Sequence, residues 1–289
     1  MSIRTSTPLP HAELFPPARA PRAPSRWGMT LAEDARQLGR FWPVVQNMVI
    51  QELRVRYQRS ILGFFWTLLN PIMMMATMAV VFSQVLGVGD PYDYAIYLFS
   101  GLVPWGLMAS MLPECSICIV ANEVLIRKIY LPKLIFPLTR VLVNLIMLVL
   151  SMSALFVLMI PLGARFAPSM VLLPVAVGLF AMFVLGIGLV IAIINTFYRD
   201  FGHLVAVVLQ AWYFATPVLY KITQLPAEIR WRFWLNPAYP FIRLFQVIIH
   251  EGAWPDGVLF LIAASIAAVS LGVGYVTFKT YEDKLVFRL

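Results

Sequence analysis

Long stretches without Asp, Glu, Lys or Arg alternate with short charged segments along most of the chain. Six stretches stand out, at 60–89, 94–113, 141–164, 166–198, 201–220 and 258–278. A helix needs about 20 apolar residues, rising about 1.5 Å each, to cross about 30 Å of hydrocarbon, and each stretch reaches that length. The pattern predicts an all-α integral membrane protein with six transmembrane helices. Buried helices of a soluble core would need polar outer faces, and these stretches have none.

Two regions break the pattern. Ahead of the first stretch, Leu31, Ala35 and Leu38 share a helical face, and Val45, Val49, Leu53 and Tyr57 continue at i, i+4 spacing beside Arg54, Arg56 and Arg59. This predicts an amphipathic interface helix over 29–59, lying in the cytoplasmic headgroup region. Residues 1–28 hold Pro8, Pro10, Pro16, Pro17, Pro21 and Pro24 and no periodicity, as expected of a disordered cytoplasmic tail. The second region, about 221–256, is too apolar for a solvated loop but is broken by Pro226, Pro237, Pro240 and Pro255. Two short re-entrant helices fit it, 227–235 and 240–249, dipping into the outer leaflet between spans five and six. Trp231, Trp234, Tyr239 and Trp254 would then sit at headgroup depth. Residues 60–289 thus form one six-helix domain. Within the spans, Pro71 and Pro104 predict kinks, and Gly178, Gly186 and Gly188 permit close helix approach.

Composition agrees. Only 12% of the 289 residues are charged and mean hydropathy is +0.81, where a soluble domain carries roughly 25% charged residues. The net charge of +8 is accounted for by position: seventeen of the 22 lysines and arginines fall before residue 60, in 114–140, at Arg199 and after 278. The positive-inside rule places all four segments, and both termini, in the cytoplasm. Orientation and attraction to anionic lipid explain the basic balance without nucleic acid.

Enzyme signatures are missing from the sequence: no GxxxxGK[ST] loop to hold ATP phosphates, no GxGxxG after a strand, no HExxH and no GxSxG. The predicted spans also lack the carboxylates that ion-coupled carriers place at mid-membrane. Energy for transport would therefore come from a partner. Cys115 and Cys118 form a lone CxxC, short of the about four ligands of a structural metal site. They read as packing residues, and His11, His203 and His250 are scattered. No cleavable signal peptide is visible in 1–27.

Glu52-Leu53-x-Val55-Arg56-Tyr57 followed by Ser60-x-Leu62-Gly63-x-x-Trp66-x-x-Leu69-Asn70-Pro71 resembles the approach to the first span of ABC-2-type transporter permeases. The likeness is greatest to the branch exporting O-antigen, teichoic acid and related lipid-linked polysaccharides. Asn122-x-x-Leu125-Ile126-x-Lys128 with Pro132, Tyr198-Arg199-Asp200, Pro217-Val218 with Tyr220, and Asn236-Pro237 with Arg243 are similar to later parts of that branch, in order. The resemblance implies a homodimer in the bacterial inner (plasma) membrane, bound to two copies of a cytoplasmic ABC ATPase that holds the ATP and Mg; the chain itself would need no cofactor. It implies that Asn122, Leu125, Arg127 and Lys128, together with Tyr198, Arg199 and Asp200, couple the spans to that ATPase. Helix-end anchoring is the other reading of these charges. Arg54, Arg56 and Arg59 would form a gate for the substrate's lipid phosphate, since a guanidinium pairs with phosphate in a fork, or would snorkel to lipid headgroups. Trp66, Trp105, Trp212, Tyr213, Phe214 and Tyr220 would line a channel, their faces meeting sugar C–H groups, or pack between helices. Two rivals stand beside polysaccharide export: an exporter of a small lipid or drug, and a membrane-bound glycosyl- or acyltransferase.

Overall fold

The computed structural model describes residues 31–58, 66, 69, 72, 73, 76, 77, 80, 81, 91–160, 167–285 and 288. The tail 1–28, Arg59 and most of the expected first span lie outside the described residues. The eight positions described within that span are helical.

Every regular element among the described residues is a helix. Helix α1 (Leu31–Arg40) opens on Glu33 and Asp34 and closes on Arg40, charges that complement the helix dipole. It falls in a compact unit separate from the one that begins at Phe41. The expected interface helix is thus divided at Phe41, and α2 (Trp42–Tyr57) restarts with Pro43 in its first turn, where the missing N–H costs nothing.

Among the described residues, four helical stretches are long and apolar enough to cross a membrane. They lie on α3 (Pro91–Ile117), on α5 (Ile135–Met159), on α6 (Leu173–Phe197) with the 3-10 turn Pro168–Leu172 leading into it, and on α10 (Gly257–Leu285). A short helix, α4 (Glu123–Lys128), joins α3 to α5. Next, α7 (Phe201–Ala215) is apolar but only 15 residues long, about 22 Å of rise. The expected fifth stretch ran to Tyr220; the helix stops because Pro217 follows it.

The remaining segment holds α8 (Ala227–Arg230) running into the 3-10 turn Trp231–Leu235, and then α9 (Tyr239–Gln246), which widens into the π-helical turn Val247–Glu251. Gly252 ends it in the left-handed conformation at φ 61°. These bounds follow the two short helices expected there.

Burial orders the helices. The span on α3 is the most enclosed and α10 the least, with Val258, Leu261, Val269, Val273 and Val276 of α10 exposed. Because lipid tails are as apolar as leucine, close packing rather than burial must hold such helices together. Between α6 and α10 it does: a Cβ on Gly186 would overlap the backbone of Ser270, and one on Gly274 would overlap that of Gly186. Ser270 Oγ donates to Phe183 O at 2.8 Å across the same crossing. Gly188 instead faces the Cys115 side chain, and Gly178 has nothing within 4 Å of its missing Cβ.

Candidate functional site

A cavity of about 790 Å³ lies among α2, α3, α5 and α7. Four of the sequence candidates meet on its wall: Arg56 from α2, Trp66, Trp105 from α3 and Tyr213 from α7. The ring centroids of Trp105 and Tyr213 are 5.4 Å apart, and Trp212 meets Trp105 edge-on at 6.4 Å. Gly106 widens the space, since nothing lies within 4 Å of where its Cβ would be. Phe99, Val103, Met147 and Leu209 make the wall mainly apolar, while Ser110, Ser151 and Gln210 add hydroxyl and amide groups. The Tyr213 hydroxyl is buried and has no hydrogen-bond partner among the described residues. Such a lining offers flat ring faces and a few adaptable polar contacts.

Charge reaches this wall at Arg56, one of four ionisable residues joined in two ion pairs. Arg56 on α2 pairs with Glu114 on α3 at 2.6 Å, and Glu52, one turn earlier on α2, accepts from Arg140 on α5 at 2.6 Å. The other Glu114 oxygen accepts from Asn144 Nδ2 at 2.7 Å, and Ser110 Oγ donates to Asn144 Oδ1 at 2.7 Å. All four ionisable side chains are only partly exposed. Burial pushes the Glu52 carboxyl above its usual range, Arg140 and Arg56 pull it back, and Glu114 adds to the rise. Arg54 is exposed and stands apart from this network.

At the far end of the cavity the chain after α7 is not helical, and its carbonyls need partners. Side chains supply them. Tyr97 donates to Tyr220 O at 2.6 Å, Gln246 donates to Pro217 O at 3.0 Å, and Tyr94 donates to Leu219 O. Asn236 fastens the same region: it accepts from Trp212 Nε1 at 2.7 Å and donates to Thr216 Oγ1 at 2.8 Å. Asp93, at the start of α3, receives Lys221 at 3.0 Å and His250 at 2.9 Å. Burial holds the His250 imidazole below its ordinary pKa against the pull of Asp93, and Lys221 lowers it further.

The opposite end of the bundle carries the coupling candidates. Leu125 of α4 and Phe197, the last residue of α6, pack in one cluster with Cys118, Ile119, Phe136, Ile193 and Phe278. This brings α4 and the Tyr198-Arg199-Asp200 corner to the same end. Asn122 Nδ2 donates to Cys118 O at 2.8 Å, tying α4 to α3, and Arg127 pairs with Glu123 at 2.8 Å. Arg127, Lys128, Tyr198, Arg199 and Asp200 are exposed, as are Val124, Ile129 and Tyr130.

Three aromatic candidates, Trp212, Phe214 and Tyr220, are not on the cavity wall: Phe214 is exposed on α7, and Tyr220 donates its hydroxyl to Phe214 O at 3.1 Å and stacks edge-on to Phe233. Trp212 lies behind Trp105 as the partner of Asn236. Arg59 lies outside the described residues. Glu114, Arg140, Asn144 and Ser110 were missed. The charge-free stretches end at Pro113 and begin again at Val141, so Glu114 and Arg140 read as loop charges; α3 and α5 extend past both. Their one sequence signal is that each borders an apolar run in helical phase with it.

Residues 43–250 match the family described as ABC-2 type transporter. Among curated proteins, the chain is 30% identical over 251 residues to the O-antigen export system permease protein RfbA of Myxococcus xanthus, covering 86% of this chain and 96% of that one. It is 26% identical to the protein of the same name from Klebsiella pneumoniae, over 74% of this chain and 83% of that one. It is 21% identical to the polysialic acid transport protein KpsM of Escherichia coli, over 84% and 95%. With a family match across more than two thirds of its length, this multi-pass membrane chain belongs to the ABC-2 type transporter family, as a permease subunit and not an enzyme.

Proposed function

We propose that the chain is the permease subunit of an ATP-driven exporter of a lipid-linked polysaccharide, of the O-antigen, teichoic acid or capsule type. It works as a homodimer with two copies of a cytoplasmic ABC ATPase in the inner membrane. The observation that carries this reading is the cavity: Trp66, Trp105 and Tyr213 offer ring faces to sugar C–H surfaces, and Arg56 offers a guanidinium to a phosphate at the same wall. A mainly apolar lining with a few polar groups suits a polymer that must slide without a fixed register. The relatives, an O-antigen export permease and a polysialic acid transport protein, favour the same substrate class.

In this reading six spans cross the membrane with both termini inside. Helix α7 and its irregular continuation make the fifth, and α8 and α9 form the outer re-entrant pair. Asn122, Leu125, Arg127 and Lys128 on and beside α4, with Tyr198, Arg199 and Asp200, receive the ATPase, so nucleotide-driven closure moves α3, α5 and α6 from their shared end. The test is co-purification with an ATPase encoded beside the chain. A stable complex should hydrolyse ATP, and Lys128→Glu or Arg199→Glu should uncouple hydrolysis from polysaccharide export. A folded chain that binds no ATPase overturns the reading.

A further inference from the structure

We propose that Asn195 is a positioning residue for transport. Its buried side chain ties the Tyr198-Arg199-Asp200 corner to the end of α3, so that α3 and α7, the helices carrying Trp105 and Tyr213, follow a displacement of that corner together. This role rests on the export reading above, in which the corner meets the ATPase, and it names the bond that carries the corner's movement to the cavity.

Asn195 lies on α6 just before the corner and is 3% exposed. Its Nδ2 donates to Ser116 O, near the end of α3, at 2.8 Å. Its Oδ1 accepts from Gly202 N, at the start of α7, at 2.8 Å. Both are backbone groups of the kind a helix leaves without an intrahelical partner, its last carbonyls and its first N–H groups. Asp200, which precedes α7, makes no side-chain cap hydrogen bond. The amide from α6 serves that helix end instead, bridging the corner from one side to the other. The packing leaves this bridge little slack. A Cβ on Gly202 would lie 3.2 Å from Asn195 Oδ1 and 3.2 Å from Ser116 Oγ, closer than side chains normally sit. Ser116 Oγ is itself held, donating to Pro113 O at 2.7 Å.

Two features make this more than a helix cap. The other expected ATPase contact is fastened to the same place: Asn122 Nδ2, beside α4, donates to Cys118 O, two residues beyond Ser116 O. Both contact points therefore pull on one end of α3, the most enclosed span. In addition, α3 and α7 are joined again away from that end. The rings of Trp105 and Tyr213 meet on the cavity wall, and Tyr94 and Tyr97 of α3 donate to carbonyls that follow α7. Trp105 precedes Ser116, and Tyr213 follows Gly202, by about 16 Å of helix each. Helices tied at both ends and between move as one panel, and a push at the corner reaches the rings. Without the bond to Ser116 the corner would move α7 alone.

The two bonds of Asn195 can be separated chemically. A carboxylate in its place still accepts from Gly202 N, at a helix start that favours negative charge, but has no N–H for Ser116 O. The experiment uses the full chain in nanodiscs, alone and in complex with the co-purified ATPase, and follows hydrogen exchange across 102–110 and 205–213. Trapping the ATPase with ATP and vanadate should change exchange in both segments of the unmodified chain. Asn195→Asp should keep the change in 205–213 and lose about half of that in 102–110, where the Asn122 tie remains. Gly202→Ala, which forces the amide off Ser116, should act in the same direction and covers the case of a misfolded Asn195→Asp chain. Thr196→Val removes a buried hydroxyl that bonds Ala192 O within α6 at 2.8 Å, and should respond as the unmodified chain does. A full response of 102–110 in both Asn195→Asp and Gly202→Ala overturns the proposal and leaves Asn195 as the cap of α7. An equal loss in Thr196→Val overturns it too, as does trapping that changes neither segment of the unmodified complex. A folded chain that binds no ATPase overturns the export reading instead. The chain alone then decides for the tie: in Asn195→Asp, exchange should rise as far away as 102–110, whereas a rise confined to 201–204 means a local cap.

Discussion

Two sides of this bundle are held by opposite means. Along the α6–α10 crossing, Gly186 and Gly274 bring backbone against backbone, and one hydroxyl, from Ser270, completes the contact. Around the cavity, Arg56–Glu114 and Glu52–Arg140 bridge α2 to α3 and α5, and Trp212–Asn236 and His250–Asp93 tie α7 and α3 to the segment around α9. Shape does not respond to ligands or pH, because a backbone contact has one arrangement. Polar bridges have two, made and broken, separated by a few kcal/mol or less. The molecule therefore has a fixed side and a side that can be switched, and the cavity lies in the second.

The sharpest way to break that contrast is to give the fixed side a side chain. Gly186→Ala adds one methyl group that meets the Ser270 backbone, which cannot rotate aside as a side chain would. Thermal unfolding in detergent should show a loss of about 3 kcal/mol, the upper end for overpacking. Gly178→Ala, with open space around its Cβ, should be neutral or slightly stabilising, since alanine favours the helix. Equal effects at the two positions would mean that the α6–α10 contact is not the rigid seam described.

A smaller effect is expected on the switchable side. Asn236 accepts from Trp212 and from Ala238 N, and donates to Thr216 and to Ala215 O. Asn236→Ala leaves those groups unpaired and should cost about 1–3 kcal/mol in the same unfolding assay. Asn236→Asp keeps both acceptor roles and loses both donor roles, so it should fall between the two. A fully stable Asn236→Ala protein would show that α7 is held by its apolar contacts alone.

The sequence made some of this legible and hid the rest for physical reasons. Short helices at 227–235 and 240–249 could be bounded because prolines bracket them and a proline cannot continue a helix. The cavity aromatics Trp66, Trp105 and Tyr213 were nameable, since bulky rings in charge-free stretches have few places to go; which of the six would meet was not, because that depends on how α3 turns against α7. Glu114 and Arg140 were invisible as a site. Charge-free runs locate helices only while charges stay outside them, and here ion pairing across α2, α3 and α5 lets helices carry charge inward. The end of α7 at Ala215 was hidden likewise. Pro217 marks a break, but the break is tolerated because Tyr94, Tyr97 and Gln246, distant in sequence, satisfy the freed carbonyls.

The smallest effect is expected at the outer end, where pH itself acts as the probe. His250 faces Asp93 through Nε2, lies near Lys221 and Glu251, and meets the Tyr97 ring edge-on at 5.4 Å, while its Nδ1 is buried without a partner among the described residues. A neutral ring that donates from Nε2 leaves only a lone pair buried at Nδ1; protonation would bury an unpaired N–H there as well. This agrees with a folded pKa held below the ordinary 6.5 by burial, with Asp93 resisting and Lys221 assisting. The sign then follows. With the folded value below the unfolded one, the unfolded chain binds more protons in the window between them, so the contribution is complete above 6.5 and is lost as pH falls through the folded value. Hydrogen exchange across 239–251 should rise as pH is lowered from neutral through that window, after correction for the intrinsic exchange rate, and His250→Gln should flatten the dependence. The α6–α10 seam, with no carboxylate or imidazole among the described residues of its crossing, should show no matching change. An equal rise there would erase the distinction between a side held by shape and a side held by bridges.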